Sequence, residues 1–175
     1  ELKGKTLGII GFGRIGQEVA KIAIGTGMDV LFSDLYTKTA RIKLDFFDNS
    51  SKEFSLKSSP VEKLLKQSDF ITLHVPAQKE YIISEKEFSI MKKGVGIINA
   101  ARGGVIDESS LLENISNNKV SFAALDTFEN EPNPSIKILM NPNISLTPHI
   151  GAATNEAQKR IGIELADQII SIYNT

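Results

Sequence analysis

The sequence predicts an α/β fold: a doubly wound parallel sheet with helices on both faces. Three observations predict it. Short apolar runs alternate with amphipathic helical patterns along most of the chain. Most of those runs are continuously apolar, as parallel strands covered on both faces are. One run breaks into three glycines, Gly11, Gly13 and Gly16, and a helical pattern follows at once.

The elements follow in order. Thr6–Ile10 reads as the first strand, Ile15–Ile24 as the first helix and Val30–Ser33 as the second strand. Residues 37–59 mix charge, Ser and Asn with scattered aromatics, so a loop-rich connection is expected, with at most one short strand near Phe54–Leu56. Val61–Gln67 is a helix with Pro60 near its first turn, and Phe70–His74 a strand. Glu85–Met91 is a helix opened by Ser84 with Glu87 three residues on, a capping box. Val95–Asn99 is a strand, and Asp107 or Glu108 opens a helix over Glu108–Ile115. Phe122–Leu125 and Ile144–Leu146 are strands. The Pro/Asn-rich stretch between them, 130–143, is expected to be loop. Glu156–Ile172 is the last helix. Right-handed crossovers restrict such a series to the doubly wound form.

Composition narrows the function classes. A chain of 175 residues, 41% hydrophobic and 23% charged, suits one soluble domain. A net charge of −1 gives no reason to expect nucleic acid or an anionic membrane as partner. No apolar run approaches the roughly 20 residues of a membrane helix, and the start does not read as a signal peptide. The absence of cysteine excludes disulfides, thiolate metal sites and a cysteine nucleophile, and suits a cytoplasmic protein. No metal site is expected. Because the chain starts at Glu1, it reads as a piece of something longer.

The glycine break has a mechanism. Gly11 permits the tight turn, Gly13 lets backbone approach a pyrophosphate, and Gly16 allows helix and sheet to pack closely. The amides of Arg14 and Ile15 then face an anion from a helix N-terminus. The pattern alone is weak, since glycines at strand ends often only make turns. Its context is stronger, because an acid, Asp34, ends the next strand 18 residues after Gly16. Together these point to a Rossmann-type dinucleotide site. Asp34 suits the adenosine ribose hydroxyls and would repel a 2′-phosphate, so NAD is expected rather than NADP. Lys38 and Arg41 are read as solvated loop charges.

The sequence has two histidines, His74 and His149, and both follow strands. Ligands of a doubly wound sheet bind at the carboxyl ends of strands. Arg102, Asp126 and Glu131 also follow strands, so these ends are expected to converge. Histidine suits proton transfer near neutral pH, and a carboxylate beside an imidazole favours its protonated form. Arginine grips a planar carboxylate through paired hydrogen bonds. Each residue alone has an ordinary structural reading: a hydrogen-bonding histidine, a surface cation, a loop carboxylate, a strand-end cap.

Five stretches in order, "LKGKTLGIIGFGRIGQ", "ITLHVP", "MKKGVGIINAARGGVIDE", "AALDTFENEP" and "LTPHIGAATNEAQ", resemble the NAD-binding domain of the D-isomer-specific 2-hydroxyacid dehydrogenases, most closely its phosphoglycerate branch. The resemblance covers nearly the whole chain. It implies that residues 1–175 are the NAD-binding domain and that the substrate domain comes from flanking sequence. It implies that Arg102 binds the substrate carboxylate and keto oxygen, that His149 is the acid–base, and that Glu131 rather than Glu129 pairs with it. Asp126 and the Ala100 carbonyl would hold the nicotinamide carboxamide. His74, Val75, Pro76 and Ala101 would line the cofactor cleft, and Ile150, Gly151 and Ala152 would lie beside the nicotinamide. Tyr81 departs from the family pattern, standing where a small polar residue is common.

The implied reaction is hydride exchange between NAD and a small 2-hydroxy or 2-keto acid, with 3-phosphoglycerate in serine biosynthesis the foremost substrate. Glyoxylate or hydroxypyruvate reduction and a D-lactate-type activity are alternatives. So is a non-enzymatic NAD(H)-sensing module like a corepressor of the same fold. A homodimer is expected from the resemblance.

Overall fold

The computed structural model describes residues 1–173. Six strands form one sheet in the order β2 (Asp29–Ser33), β1 (Thr6–Ile10), β5 (Phe70–Leu73), β6 (Val95–Asn99), β7 (Val120–Leu125), β8 (Ile144–Leu146). Every neighbouring pair is parallel. The chain leaves β1 for one side of the sheet and reaches β5 on the other side later. This makes the crevice above the carboxyl ends of β1 and β5 the topological switch point.

Helices cover both faces. α1 (Arg14–Gly25) packs on one face with the cluster Leu7, Ile9, Ala20, Ala23 and Phe32. α2 (Val61–Gln67), α3 (Glu85–Ile90) and α4 (Glu108–Ser116) bury Leu64, Leu65, Phe88, Leu111 and Ile115 against Ile71, Leu73 and Ile97 on the other. The odd and even residues of each central strand thus face two cores, which is why those strands read as continuous apolar runs. The helix starts follow the sequence signals. The Glu87 carboxylate accepts from the Ser84 N–H at 3.0 Å, and Asp107 accepts from the Ser109 and Ser110 N–H groups.

The region 37–59 corrects the sequence reading. It is not loop-rich but an antiparallel hairpin, β3 (Thr39–Asp45) and β4 (Ser51–Lys57), with Ile42 opposite Phe54. The alternation is present on both arms, Ala40, Ile42 and Leu44 against Phe54 and Leu56, but charged and hydroxyl-bearing residues fill the positions between, and Lys52 opposite Leu44 breaks it. Ile42 is buried under this arm, and β3 runs along α1. The hairpin forms its own two-stranded sheet, separate from the six-stranded one. Arg41 is a strand residue facing Glu53 at 3.9 Å rather than a loop charge, and Lys38, in the loop before β3, donates to the Leu35 carbonyl at 2.7 Å; both remain exposed to solvent.

The stretch 130–143 also departs from expectation, because it contains one short helix, α5 (Ile136–Leu139), anchored by the buried Ile138. The last helix, α6 (Asn155–Tyr173), buries none of its residues and meets α1 through an ion pair between Arg14 and Glu164. Among the described residues no helix is long and apolar enough to cross a membrane.

Candidate active site

The residues singled out in the sequence lie along one edge of the sheet, past the carboxyl ends of its strands. After β1, Gly11 takes φ +89, a backbone conformation that side chains disfavour, and a Cβ there would run into the His74 carbonyl. A Cβ on Gly16 would strike the Gly11 carbonyl, so the helix start can sit this close to the strand only with glycine. Around Gly13 there is open space instead. Gly13 is the N-cap of α1, no side chain caps that end, and no acid occupies its first turn. The first amides of α1, from Arg14 and Ile15 on, therefore face a hollow, which suits an anionic diphosphate. The Arg14 side chain turns away to Glu164, with both groups exposed.

Asp34, one residue past β2, faces this turn. One carboxylate oxygen accepts from the Phe12 N–H at 2.6 Å, and the other from Tyr36 and Thr37 N–H at 2.8 and 2.7 Å. Burial works against the charge, but these bonds and Lys38 outweigh it and hold the carboxyl below its ordinary value. Asp34 is thus a brace between the glycine turn and the loop after β2. A carboxylate has about four lone-pair positions, so room remains for a ribose hydroxyl.

His74 follows β5, half-buried, with Nε2 3.0 Å from the Thr72 hydroxyl. Burial lowers its pKa, so at neutral pH it is an uncharged hydrogen-bonding ring. Val75 and Pro76 continue over the same crevice.

After β6 the turn 99–102 is built by a residue the sequence reading did not single out. The side chain of Asn99, 3% exposed, donates to the Arg102 carbonyl at 2.9 Å and accepts from the Ala101 N–H at 3.1 Å. Both ends of one amide close the turn that carries Ala100, the buried Ala101 and the exposed Arg102. Its signal was a polar residue ending a buried strand, where a buried amide must find partners.

The strongest constellation comes from β7 and β8. His149 Nδ1 is 2.8 Å from Glu131 Oε2, and Glu131 Oε1 accepts from the Phe128 N–H at 2.9 Å. The hydrogen bonds from His149 and from Phe128 lower the Glu131 pKa, so the carboxylate is ionised and can only accept. The Nδ1 of His149 therefore carries the proton, and Nε2 is the ring nitrogen left for other chemistry. His149 itself sits at φ +54, left-handed backbone that few residues other than glycine adopt. Asp126 holds the turn on both sides, accepting from the Thr147 hydroxyl at 2.5 Å and from the Ile150 and Gly151 N–H groups, each at 2.9 Å. Asp126 makes three bonds within this chain, which leaves about one of its four lone-pair positions for the carboxamide the sequence reading assigns to it. Ala152 lies just beyond on the exposed turn that leads to α6.

The tertiary structure thus joins Glu131 and His149 by a direct bond, ties Asp126 to the residues on either side of His149, and places the Arg102 turn beside them by strand order, between β5 and β7. The glycine turn, Asp34 and His74 lie across the switch point. Beside the pair, a cavity of about 380 Å³ is lined by Phe128, Pro132, Pro134, Leu139, Leu146 and Pro148, together with Glu131, Thr147 and His149.

A doubly wound sheet with a glycine cradle at its switch point and an acid at the end of the second strand defines a dinucleotide-binding domain. Residues 1–151 match the family model for the D-isomer specific 2-hydroxyacid dehydrogenase NAD binding domain. The chain belongs to that family, and its cofactor is NAD. It is 45% identical over 174 residues to a hydroxypyruvate reductase of Thermotoga maritima, covering 97% of this chain and 53% of that protein. It is 42% identical to a D-3-phosphoglycerate dehydrogenase of Archaeoglobus fulgidus, covering 98% and 32% respectively. The crystal structure of a glyoxylate reductase from Paecilomyes thermophila superposes with a TM-score of 0.83 at 37% identity, over 97% of this chain and 49% of that one. The chain therefore spans between about a third and half of the length of these relatives.

Proposed function

We propose that this chain is the cofactor half of an NAD-dependent oxidoreductase acting on D-2-hydroxy acids. The observation that carries the reading is the His149–Glu131 contact, 2.8 Å long, on the same sheet edge as the glycine cradle. The glycine turn would hold the diphosphate on the α1 amides, Asp34 the adenosine ribose, and the Ala100 carbonyl with Asp126 the carboxamide. His74, Val75, Pro76, Ala101, Gly151 and Ala152 would line the cleft. When bound, NAD accepts or supplies the hydride. His149 Nε2 takes the proton from the substrate hydroxyl in oxidation and returns it to the keto oxygen in reduction. Glu131 fixes the tautomer that leaves Nε2 free for this. The Arg102 guanidinium pairs with the substrate carboxylate.

The family resemblance favours 3-phosphoglycerate as substrate, which would place the protein in serine biosynthesis. A second reading, hydroxypyruvate or glyoxylate reduction, is supported by the likeness to the hydroxypyruvate reductase and glyoxylate reductase relatives. The chain would work as a homodimer. Its 175 residues should bind NADH in a calorimetric titration but turn over slowly or not at all, and no heat at high protein concentration would sink the cofactor role. Assay of the full-length protein with 3-phosphoglycerate, hydroxypyruvate, glyoxylate and D-lactate chooses the substrate. Inertness toward all of them together with tight NADH binding would favour an NAD(H)-sensing module.

A further inference from the structure

Glu108 and Glu129 take no part in the proposed chemistry, yet they are tied to each other. The Glu108 carboxylate accepts from the Glu129 N–H at 2.8 Å, and the Glu129 carboxylate accepts from the Glu108 N–H at 2.9 Å. Glu108 is 8% exposed and opens α4, so Glu129 satisfies an amide of the helix's first turn that has no partner within the helix. Tyr81, which departs from the family pattern, lies near Glu129, whose negative charge raises the Tyr81 pKa. Glu129 lies two residues before Glu131.

The consequence lies in one peptide unit. The N–H of the 128–129 peptide points to Glu108, while its carbonyl, from Phe128, lies against Gly103, where any Cβ would collide with it. That peptide is held from both sides, by α4 and by the turn after Arg102. The adjoining 127–128 peptide, joined to it at the Phe128 Cα, carries the Phe128 N–H, the group that bonds Glu131 Oε1. Glu131 in turn holds His149. Burial first, and then the neighbouring Glu129, push the Glu108 carboxyl upward, against the bond from the Glu129 N–H. A neutral amide with the same carbonyl oxygen should therefore serve in its place.

We propose that Glu108 is a positioning residue: its carboxylate oxygen, by holding the Glu129 N–H, orients the loop that sets Glu131 against His149. The proposal rests on the functional reading above for its catalytic meaning, but not for its geometry.

The test uses Glu108→Ala, Glu108→Asp and Glu108→Gln. Alanine removes the acceptor, aspartate keeps the charge but shortens its reach, and glutamine keeps a carbonyl oxygen in place. The first readout is the His149 tautomer, from long-range nitrogen–proton correlation spectra of this chain, whose two histidines make assignment simple. Wild type and Glu108→Gln should show the Nδ1–H form, and Glu108→Ala and Glu108→Asp should move toward the Nε2–H form. The second readout is turnover of the full-length protein. There kcat should fall about tenfold to a hundredfold in the Ala and Asp variants with KM for NADH little changed, and Glu108→Gln should restore it. If Glu108→Ala does not fold, the Asp variant carries the comparison. An unchanged tautomer in a folded Ala or Asp variant overturns the proposal, as does a glutamine variant as impaired as alanine. If the tautomer shifts as expected while wild type reduces none of the keto acids, the functional reading falls and the positioning role stands.

Discussion

His149 and Glu131 are 18 residues apart in the chain, and their side chains meet at 2.8 Å. The contact joins a residue in left-handed backbone past β8 to a carboxylate past β7, and the parallel neighbours β7 and β8 bring the two loops together. Neither loop would place its residue without the other.

Because the two act as one unit, their substitutions should not add. Glu131→Ala and His149→Gln should each lower kcat of the full-length protein by about 10²–10⁴-fold, and the double variant should be little worse than His149→Gln alone. Steady-state kinetics of the three variants decides. Losses that multiply in the double variant would mean that Glu131 does not work through His149.

Two glycines should part stability from binding. At Gly103 a Cβ meets the Phe128 carbonyl, so Gly103→Ala should cost about 1–3 kcal/mol of stability through overpacking. At Gly13 there is open space, and the Gly13 φ of −73° suits alanine. Gly13→Ala should therefore stay within about 0.5 kcal/mol of wild type but weaken NADH, because its methyl enters the diphosphate hollow. Thermal melts with and without NADH separate the two. Equal stability losses would contradict the assignment of the hollow.

Asp34 carries a structural and a binding duty. Asp34→Ala leaves the Phe12, Tyr36 and Thr37 N–H groups without their acceptor. It should destabilise the unliganded chain by about 1–3 kcal/mol and weaken NADH by about tenfold or more. Denaturant melts of the unliganded chain test the first part. Unchanged stability would show that the brace is unimportant and that Asp34 serves the cofactor alone.

Acid should release the His149 turn. Burial alone would raise the Asp126 pKa, but the bonds from Thr147, Ile150 and Gly151 and the nearby His149 outweigh it, so the folded value lies below the ordinary 3.8. A carboxyl with a depressed folded pKa stabilises above its unfolded pKa and loses that contribution as pH falls through the folded one. The midpoint temperature of wild type should thus fall more steeply below about pH 4 than that of Asp126→Asn. Parallel curves would remove Asp126 from the acid response.

Much of this was legible in the chain. The central strands announced themselves because burial on both faces demands apolar residues at every position, and the helix starts at Ser84 and Asp107 because orphan amides demand particular caps. Arg102, Glu131 and His149 were found through their place after strands and the motifs around them. The hairpin 39–57 was missed because about half of the positions between its apolar residues are charged, and because what covers its apolar side, α1 and β2, comes from earlier in the chain. Asn99 was missed because its role, closing the turn with both ends of one amide, is a matter of geometry rather than pattern.

The sequence by itself determined the layers, the parallel order, the glycine cradle and the residue types at the strand ends, since these follow from periodicity, from φ and from local hydrogen-bonding demands. Only the tertiary structure decided which groups of the chain each carboxylate bonds. Asp34, Asp126, Glu108, Glu129 and Glu131 are chemically alike and all follow strands or open helices. What separates them is which backbone amides face each one: near ones such as Phe128 for Glu131, and distant ones such as Phe12 for Asp34 and the Glu108 and Glu129 amides for each other's carboxylates.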